Sequence, residues 1–256
     1  MKNLFLIALL ITACTFSCQA QNPRPLAESK ELALDAFHAL EVSQAIEVEI
    51  IQSHDYRAEI RSDYMKYLVI DEQNGVLRIK FDSPNQLNMR NPNTYIKLFT
   101  PQIRSIQATS ASSVTLQSTF KNQEWELITN SAGNIQGNFE AKTIRMDLSS
   151  AGQIEAQLKA ENIDVEASSG STLIAKGTTN QLDIEASSSA TVNMLDLKAT
   201  HILVEASSAS DTQIYPTQSL SAEASSNGSI LYKTKNKTLK NIHIDESTGG
   251  SVRAIQ

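Results

Sequence analysis

Cysteine, glycine, proline and large aromatic rings are all scarce in this chain, and each shortage removes a class of protein. The two cysteines, Cys14 and Cys18, both lie among the first 20 of 256 residues, so no disulfide staples the rest and stability must come from packing and hydrogen bonds. Nine glycines are too few for the glycine-rich nonapeptide calcium repeat of toxin β-rolls. Aromatic residues make up 5%, low for a core filled by large rings. No basic patch with interleaved aromatics is present, which argues against nucleic acid as a partner. None of the six prolines falls between residues 102 and 215, so all six, Pro216 included, are read as outside the central rungs, whose stacked strands need every backbone hydrogen bond. No convincing 3.6-residue period follows residue 45, which excludes a helical solenoid, and the leucine-rich-repeat signature is missing.

The opening residues read as a leader. Lys2 precedes the apolar run "LFLIALLITA" (4–13), about as long as the hydrophobic part of a signal peptide and shorter than the roughly twenty residues that span a bilayer. "CQA" before Gln21 suits an ordinary signal-peptidase site, which makes residues 1–20 the signal peptide. "ITAC" (11–14) instead resembles a bacterial lipobox with Cys14 as the lipid-bearing residue. Both routes imply export. Loss of Lys2 with the leader takes the formal charge from −6 to −7, comfortable for solubility outside the cytoplasm. The lysine-rich "YKTKNKTLKN" (232–241) reads as a solvated loop.

What is abundant is a period. Short segments of small residues recur as "SASSV" (110–114), "SAGNI" (131–135), "SAGQI" (150–154), "SGSTL" (169–173), "SSATV" (188–192), "SASDT" (208–212), "SNGSI" (226–230) and "TGGSV" (248–252), their starts separated by 21, 19, 19, 19, 20, 18 and 22 residues. Four residues before each start stands an apolar side chain, from Ile106 and Leu127 to Ala222 and Ile244. Side chains on a strand alternate between faces, so these positions share one buried side. A unit of about 19 residues with two or three short strands fits one rung of a parallel β-helix. The serines then have a structural reading: a corner stacked on itself about every 4.8 Å admits only small side chains, and hydroxyls can satisfy turn backbone. The expected fold is all-β, a single-stranded parallel β-helix, with residues 106–254 as regular rungs. Residues 21–32 are read as a linker, 33–105 as less regular β-rich first rungs plus a cap, and 33–256 as one domain.

"LEVSQAIEVEIIQS" (40–53), "IDEQNGVLRIKF" (70–81) and "YIKLFTPQIRSIQATSASSV" (95–114) resemble successive blocks of the bacterial head GIN domain family, labelled putative auto-transporter adhesins. The resemblance covers roughly residues 35–254 and implies an exported protein of Bacteroidetes type with a right-handed β-helix. It supplies no catalytic residues to carry over.

One repeated chemical feature stands out. Asp147, Glu166, Glu185, Glu205, Glu223 and Asp245 lie three residues before six consecutive turns, between inward-facing neighbours, and so form an outward acidic column. Two readings stay open: a solvated, aggregation-resistant face with Lys159, Lys176 and Lys198 nearby, or a weak Ca²⁺ or cationic-ligand stripe, since hard cations take several carboxylate oxygens. No other cofactor is expected. Catalytic constellations are wanting: His201 and His243 are isolated, and no nucleophile elbow, phosphate loop or zinc-ligand spacing appears. The functional expectation is a non-catalytic protein of the periplasm, outer membrane or surface of a Gram-negative bacterium. It presents a β-helical face to a glycan or surface protein, and touches membrane only through a lipid anchor at Cys14. The alternative is a carbohydrate-active β-helix enzyme of polysaccharide lyase or hydrolase type, whose groove would interrupt the rungs with long charged loops; here the turn spacings vary by only a few residues.

Overall fold

The computed structural model describes residues 28–82, 93–234 and 239–255. The leader, with Cys14 and both cleavage sites, lies outside these residues, as do the centre of the lysine run at 235–238 and most of the turn at 91–93. Apart from one 3₁₀ turn at Met65–Tyr67, regular structure is all strand. The front holds β1 (Glu28–Ala33), β2 (Ala39–Val42), β3 (Glu47–Gln52), β4 (Arg57–Ser62), β5 (Leu68–Gln73), β6 (Val76–Phe81), β7 (Thr94–Thr100), β8 (Ser105–Ala108) and β9 (Ser113–Leu116). The repeats supply β10 (Phe120–Thr129), β11 (Asn134–Leu148), β12 (Gln153–Lys159), β13 (Asn162–Ala167), β14 (Thr172–Ala186), β15 (Thr191–Ala206), β16 (Asp211–Ala224), β17 (Ser229–Lys233), β18 (Asn241–Glu246) and β19 (Ser251–Ile255).

From β8 onward every pairing is parallel, and the chain coils as a β-solenoid of about eight turns. Each rung has a first face, the strand running into the small turn, and a second face, the strand leaving it. The small turns form one column, as the spacing predicts. Two successive residues in each have positive φ, for example Ser110 (53°) and Ala111 (61°), or Ser188 (50°) and Ser189 (63°), the pair of left-handed positions that defines a type I′ turn. Non-glycine residues there cost about 1–2 kcal/mol each. Stacking offsets this. The Ala111 amide donates to Ser131 O at 2.9 Å, Ala132 to Ser150 O at 3.0 Å and Ser189 to Ser208 O at 3.0 Å, and the ladder runs unbroken from Ala45 to Thr248.

The demand for smallness falls mainly on the residue after this pair. Ser112, Ser171, Ala190 and Ser210 are buried there. At Gly133 and Gly228 a Cβ would come within 2.0 and 2.2 Å of the carbonyl oxygens of Ala108 and Ala206. Hydroxyls serve the backbone at two of the corners: Ser112 Oγ donates to Val42 O at 3.0 Å and Ser210 Oγ to Ala186 O at 3.0 Å. The leading Ser or Thr of each motif turns left-handed on the exposed rim, so crowding does not account for its small size.

The core is a set of register-locked columns. Ile106, Leu127, Met146, Val165, Ile184, Val204 and Ala222 stack on the first face. Val114, Ile135, Ile154, Leu173 and Val192 oppose them on the second, and all are buried. Burial of one such side chain is worth about 1.5–3 kcal/mol, so the stack is held by repetition rather than by any single contact. Trp125, the one tryptophan, sits edge-on between Phe120 and Phe139 at 6.4 and 5.1 Å.

Three expectations need correction. The stretch 21–32, read as linker, includes most of β1, which pairs antiparallel with β4 from Glu28 onward. The front rungs do not stack in chain order: β2 and β3 insert between β6–β7 on one side and β8–β9 on the other, and antiparallel strands β5, β4 and β1 cap that end. Pro216, read as outside the central rungs, lies within β16. It sits between register shifts after Asn193 and Ala199, where an irregular ladder tolerates the missing N–H.

Candidate functional site

The acidic column is real as geometry. Asp147 pairs in register with Glu166, then Glu185, Glu205, Glu223 and Asp245, and all six side chains are exposed. The lysines expected beside it are elsewhere. Lys159 and Lys198 belong to a corner column through Lys121, Glu140 and Thr178, and along β14 seven residues separate Thr178 from Glu185. Lys176 faces outward on the second face, beside Asp196 in register. Among the described residues the column is therefore uncompensated, at about 1 kcal/mol of repulsion per adjacent pair in water. Among the described residues, no three of His, Cys, Asp or Glu come close enough to hold a metal ion. A straight column on a flat sheet offers one carboxylate per rung and no enclosing carbonyls, which is poor geometry for Ca²⁺.

Beside it runs a second outward column of Glu126, Arg145, Asp164, Asp183 and Leu203. Arg145 bridges Glu124 and Asp164. Asp183 pairs with no cation among the described residues; burial, with the neighbouring Asp164 charge, raises its carboxyl above the usual range. His201 Nδ1 lies 2.7 Å from Ser219 Oγ at the surface, and His243 is exposed on β18. Among the described residues, no carboxylate is hydrogen-bonded to either histidine.

A different place on the molecule has the shape of a site. On the second face the inward column contains Gly137, Ala156 and Ala175 in register where other rungs carry larger side chains. A Cβ on Gly137 would come within 2.7 Å of Leu116 Cβ. Over these small residues opens a shallow groove of about 310 Å³, at the lower end of ligand-site volumes. Two outward columns line it: Gln136, Glu155, Ile174 and Asn193, and beside them Asn138, Gln157, Lys176 and Asp196. The one-residue register shift between Ile174 and Lys176 displaces β15 against β14 there. Gly177, at φ 133°, turns the chain out of the groove; a Cβ would lie 1.8 Å from Leu158 O.

Chemically the groove is a lattice of unspent hydrogen-bonding groups. Each amide side chain carries two donors and an acceptor. Among the described residues, Gln136, Asn138 and Gln157 engage no other side chain, and Glu155, Lys176 and Asp196 form no ion pair. Only Asn193 is partly used, accepting from the Leu195 amide at 3.3 Å. Ile174, 49% exposed, supplies an apolar floor. The corner next to it is fixed by Glu140, bridged by Lys159 at 3.2 Å and Lys121 at 3.5 Å; the Lys159 hydrogen bond holds its carboxyl below the usual range. Nearer the front, polar groups are spent on one another. Arg57 pairs with Glu59 and stacks over Phe99. Tyr95 donates to Glu49, and burial together with that bond pushes its hydroxyl up to about 12.

Sequence reasoning missed the groove. Its signal was legible: a small residue replaces a larger apolar one at a single inward position in three successive rungs, flanked by Gln136 and Asn138 in the first and by Glu155 and Gln157 in the second.

A coiled sheet that displays repeated side-chain columns, with a shallow groove on one face, defines a β-solenoid scaffold. The chain belongs to the family described as putative auto-transporter adhesin, head GIN domain, whose model matches residues 36–157 and 136–235. Comparison with curated proteins finds no match. Among solved structures the fold is similar to that of a putative adhesin from Parabacteroides merdae (18% identity, TM-score 0.81). It is also similar to a putative lipid binding protein and a putative adhesin from Parabacteroides distasonis (18% and 16% identity, TM-scores 0.77 and 0.80). Each of these alignments covers 90% of this chain and 97% of the other.

Proposed function

We propose that this is a non-catalytic, exported envelope or cell-surface protein that binds through the second face of its solenoid. The ligand class is a hydroxyl-rich glycan lying along the groove. The observation that carries this reading is the pair of outward columns from Gln136 to Asn193 and from Asn138 to Asp196, in which the amides of Gln136, Asn138 and Gln157 engage no other side chain among the described residues. Rungs about 4.8 Å apart space mixed polar groups along the axis over four successive rungs, which suits an extended polar chain better than a compact metabolite. Export is supported by the leader at residues 1–20 and by the adhesin family to which the chain belongs.

A glycan array probed with the mature chain, followed by calorimetric titration of any hit, tests the proposal. Gln157→Ala with Asn193→Ala should weaken binding about tenfold or more, since each lost hydrogen bond in a desolvated contact is worth about 1 kcal/mol. Replacing Glu166, Glu185 and Glu205 with Gln, on the other face, should leave it unchanged. Equal binding by the groove variant, or binding only to lipid vesicles, would overturn the assignment.

A further inference from the structure

The rung at the C-terminal end of the described stack is unfinished. Ile242 and Ile244 are 50% and 40% exposed, whereas their in-register neighbours Leu220 and Ala222 are 2% and 0% exposed. β18 pairs with β16 on one side and, among the described residues, with nothing on the other. The Ser247 amide donates to Ala224 O at 2.9 Å. By the alternation of a parallel ladder, the backbone groups of Ile242, Ile244 and Glu246 then face the free side. The neighbouring strand β19 is partly closed, because Glu246 Oε1 accepts the Val252 amide at 2.6 Å. The open template is β18.

We propose that a second copy of this chain covers it, tail to tail, by antiparallel pairing of β18 with its own counterpart about a two-fold axis at His243. The sequence "KNIHIDE" (240–246) reads as self-complementary about that residue. Lys240 meets Glu246 of the second copy, Asn241 meets Asp245, and Ile242 meets Ile244. Opposed residues on antiparallel strands point to the same face, so both isoleucine pairs turn toward the cores and the charges pair at the ends. The free backbone groups of Ile242 and Ile244 become the hydrogen-bonded pairs. His243 then opposes itself at a non-hydrogen-bonded position, with Cα atoms about 4.5 Å apart. A two-fold contact of this kind closes on itself and does not propagate.

That position is within disulfide range. In the mature chain expressed without Cys14 and Cys18, His243→Cys should give a covalent dimer on mild oxidation, and Asp245→Cys should not, because Asp245 faces Asn241 rather than itself. Sedimentation should show dimer for the parent, monomer for Lys240→Glu, and dimer again when Lys240→Glu is combined with Glu246→Lys. Circular dichroism distinguishes loss of pairing from loss of fold. A parent that stays monomeric at tens of micromolar would overturn the proposal. So would equal crosslinking of both cysteine variants, or failure of the charge exchange to restore the dimer in a folded variant.

Discussion

The two ends of this solenoid are built on opposite principles. At the N-terminal end the stack stops being parallel: β5 reverses against β6, β4 against β7 and β1 against β4. The last edge there, "ESKELA", is charged and exposed, a standard defence against strand addition. At the C-terminal end β18 repeats the parallel rung to its final residue and leaves two isoleucines uncovered. Between them, each rung is held from both sides. The difference teaches where stability resides. A solenoid contact is worth most where a neighbour above and a neighbour below both enforce it, so the same substitution should cost less toward the open end.

The sharpest version of that comparison uses one clash at two heights. Gly133→Ala forces a Cβ within 2.0 Å of Ala108 O, and Gly250→Ala one within 2.2 Å of Ala224 O. In the middle of the stack this should cost about 3 kcal/mol or more. At the last rung, where β19 can yield, about 1 kcal/mol is expected. Chemical denaturation of both variants checks it, and equal costs would deny any difference between middle and end. Next in size comes Ala186→Leu. The site is buried between Ala167 and Ala206, and overpacking should cost about 1–3 kcal/mol. The same column ends in Glu246, where a far larger side chain is accommodated because nothing is stacked beyond it.

Smaller effects sharpen the contrast in charge. Near the front Arg78 pairs with Glu41 at 2.8 Å, whereas the six acids from Asp147 to Asp245 pair with no cation among the described residues. Changing Glu166, Glu185 and Glu205 together to Gln should raise stability by up to about 1 kcal/mol through relieved repulsion. Millimolar Ca²⁺ should move the melting temperature of neither form at matched ionic strength. A calcium-dependent rise confined to the parent would restore the cation-stripe reading. Asp183→Asn should stabilise slightly. Because its folded pKa is raised, the ionised parent is penalised above the usual carboxylate range, and this penalty fades as pH falls and the folded carboxyl takes up its proton. Tyr95, pushed up to about 12 from 10.0, keeps its proton in the fold after unfolded tyrosine has lost it. Stability should fall as pH rises from 10 toward 12, and Tyr95→Phe should remove that part of the loss, as read by alkaline denaturation.

Much of the rear half was legible in the sequence because one physical demand repeats there: a small corner, an apolar residue four before it, an acid three before it. Ile184, Glu185 and Ser188 lie where the period predicts, facing in, facing out and turning left-handed. The front was legible as strands but not as topology. The insertion of β2–β3 between β6–β7 and β8–β9 joins segments distant in the chain, and local alternation carries no information about which alternating strands pair. The lysines misled for a related reason. Lys198 and Glu205 are close in sequence, but Lys198 lies at a corner midway along β15 and Glu205 seven positions further on, at about 3.3 Å per residue. The groove went unread because its cause is an absence of side-chain volume at Gly137, Ala156 and Ala175, which alternation alone scores as ordinary inward positions.

Hydrogen exchange, followed residue by residue at a concentration low enough to keep copies apart, tests the contrast between the ends most directly. Amides of β18 and β19 should exchange first, those of β1 and β5 later, and those of β11 to β15 last, approaching the rate set by global unfolding. Protection that is uniform along the stack, or lost first at the antiparallel end, would contradict the claim that one end is closed and the other open.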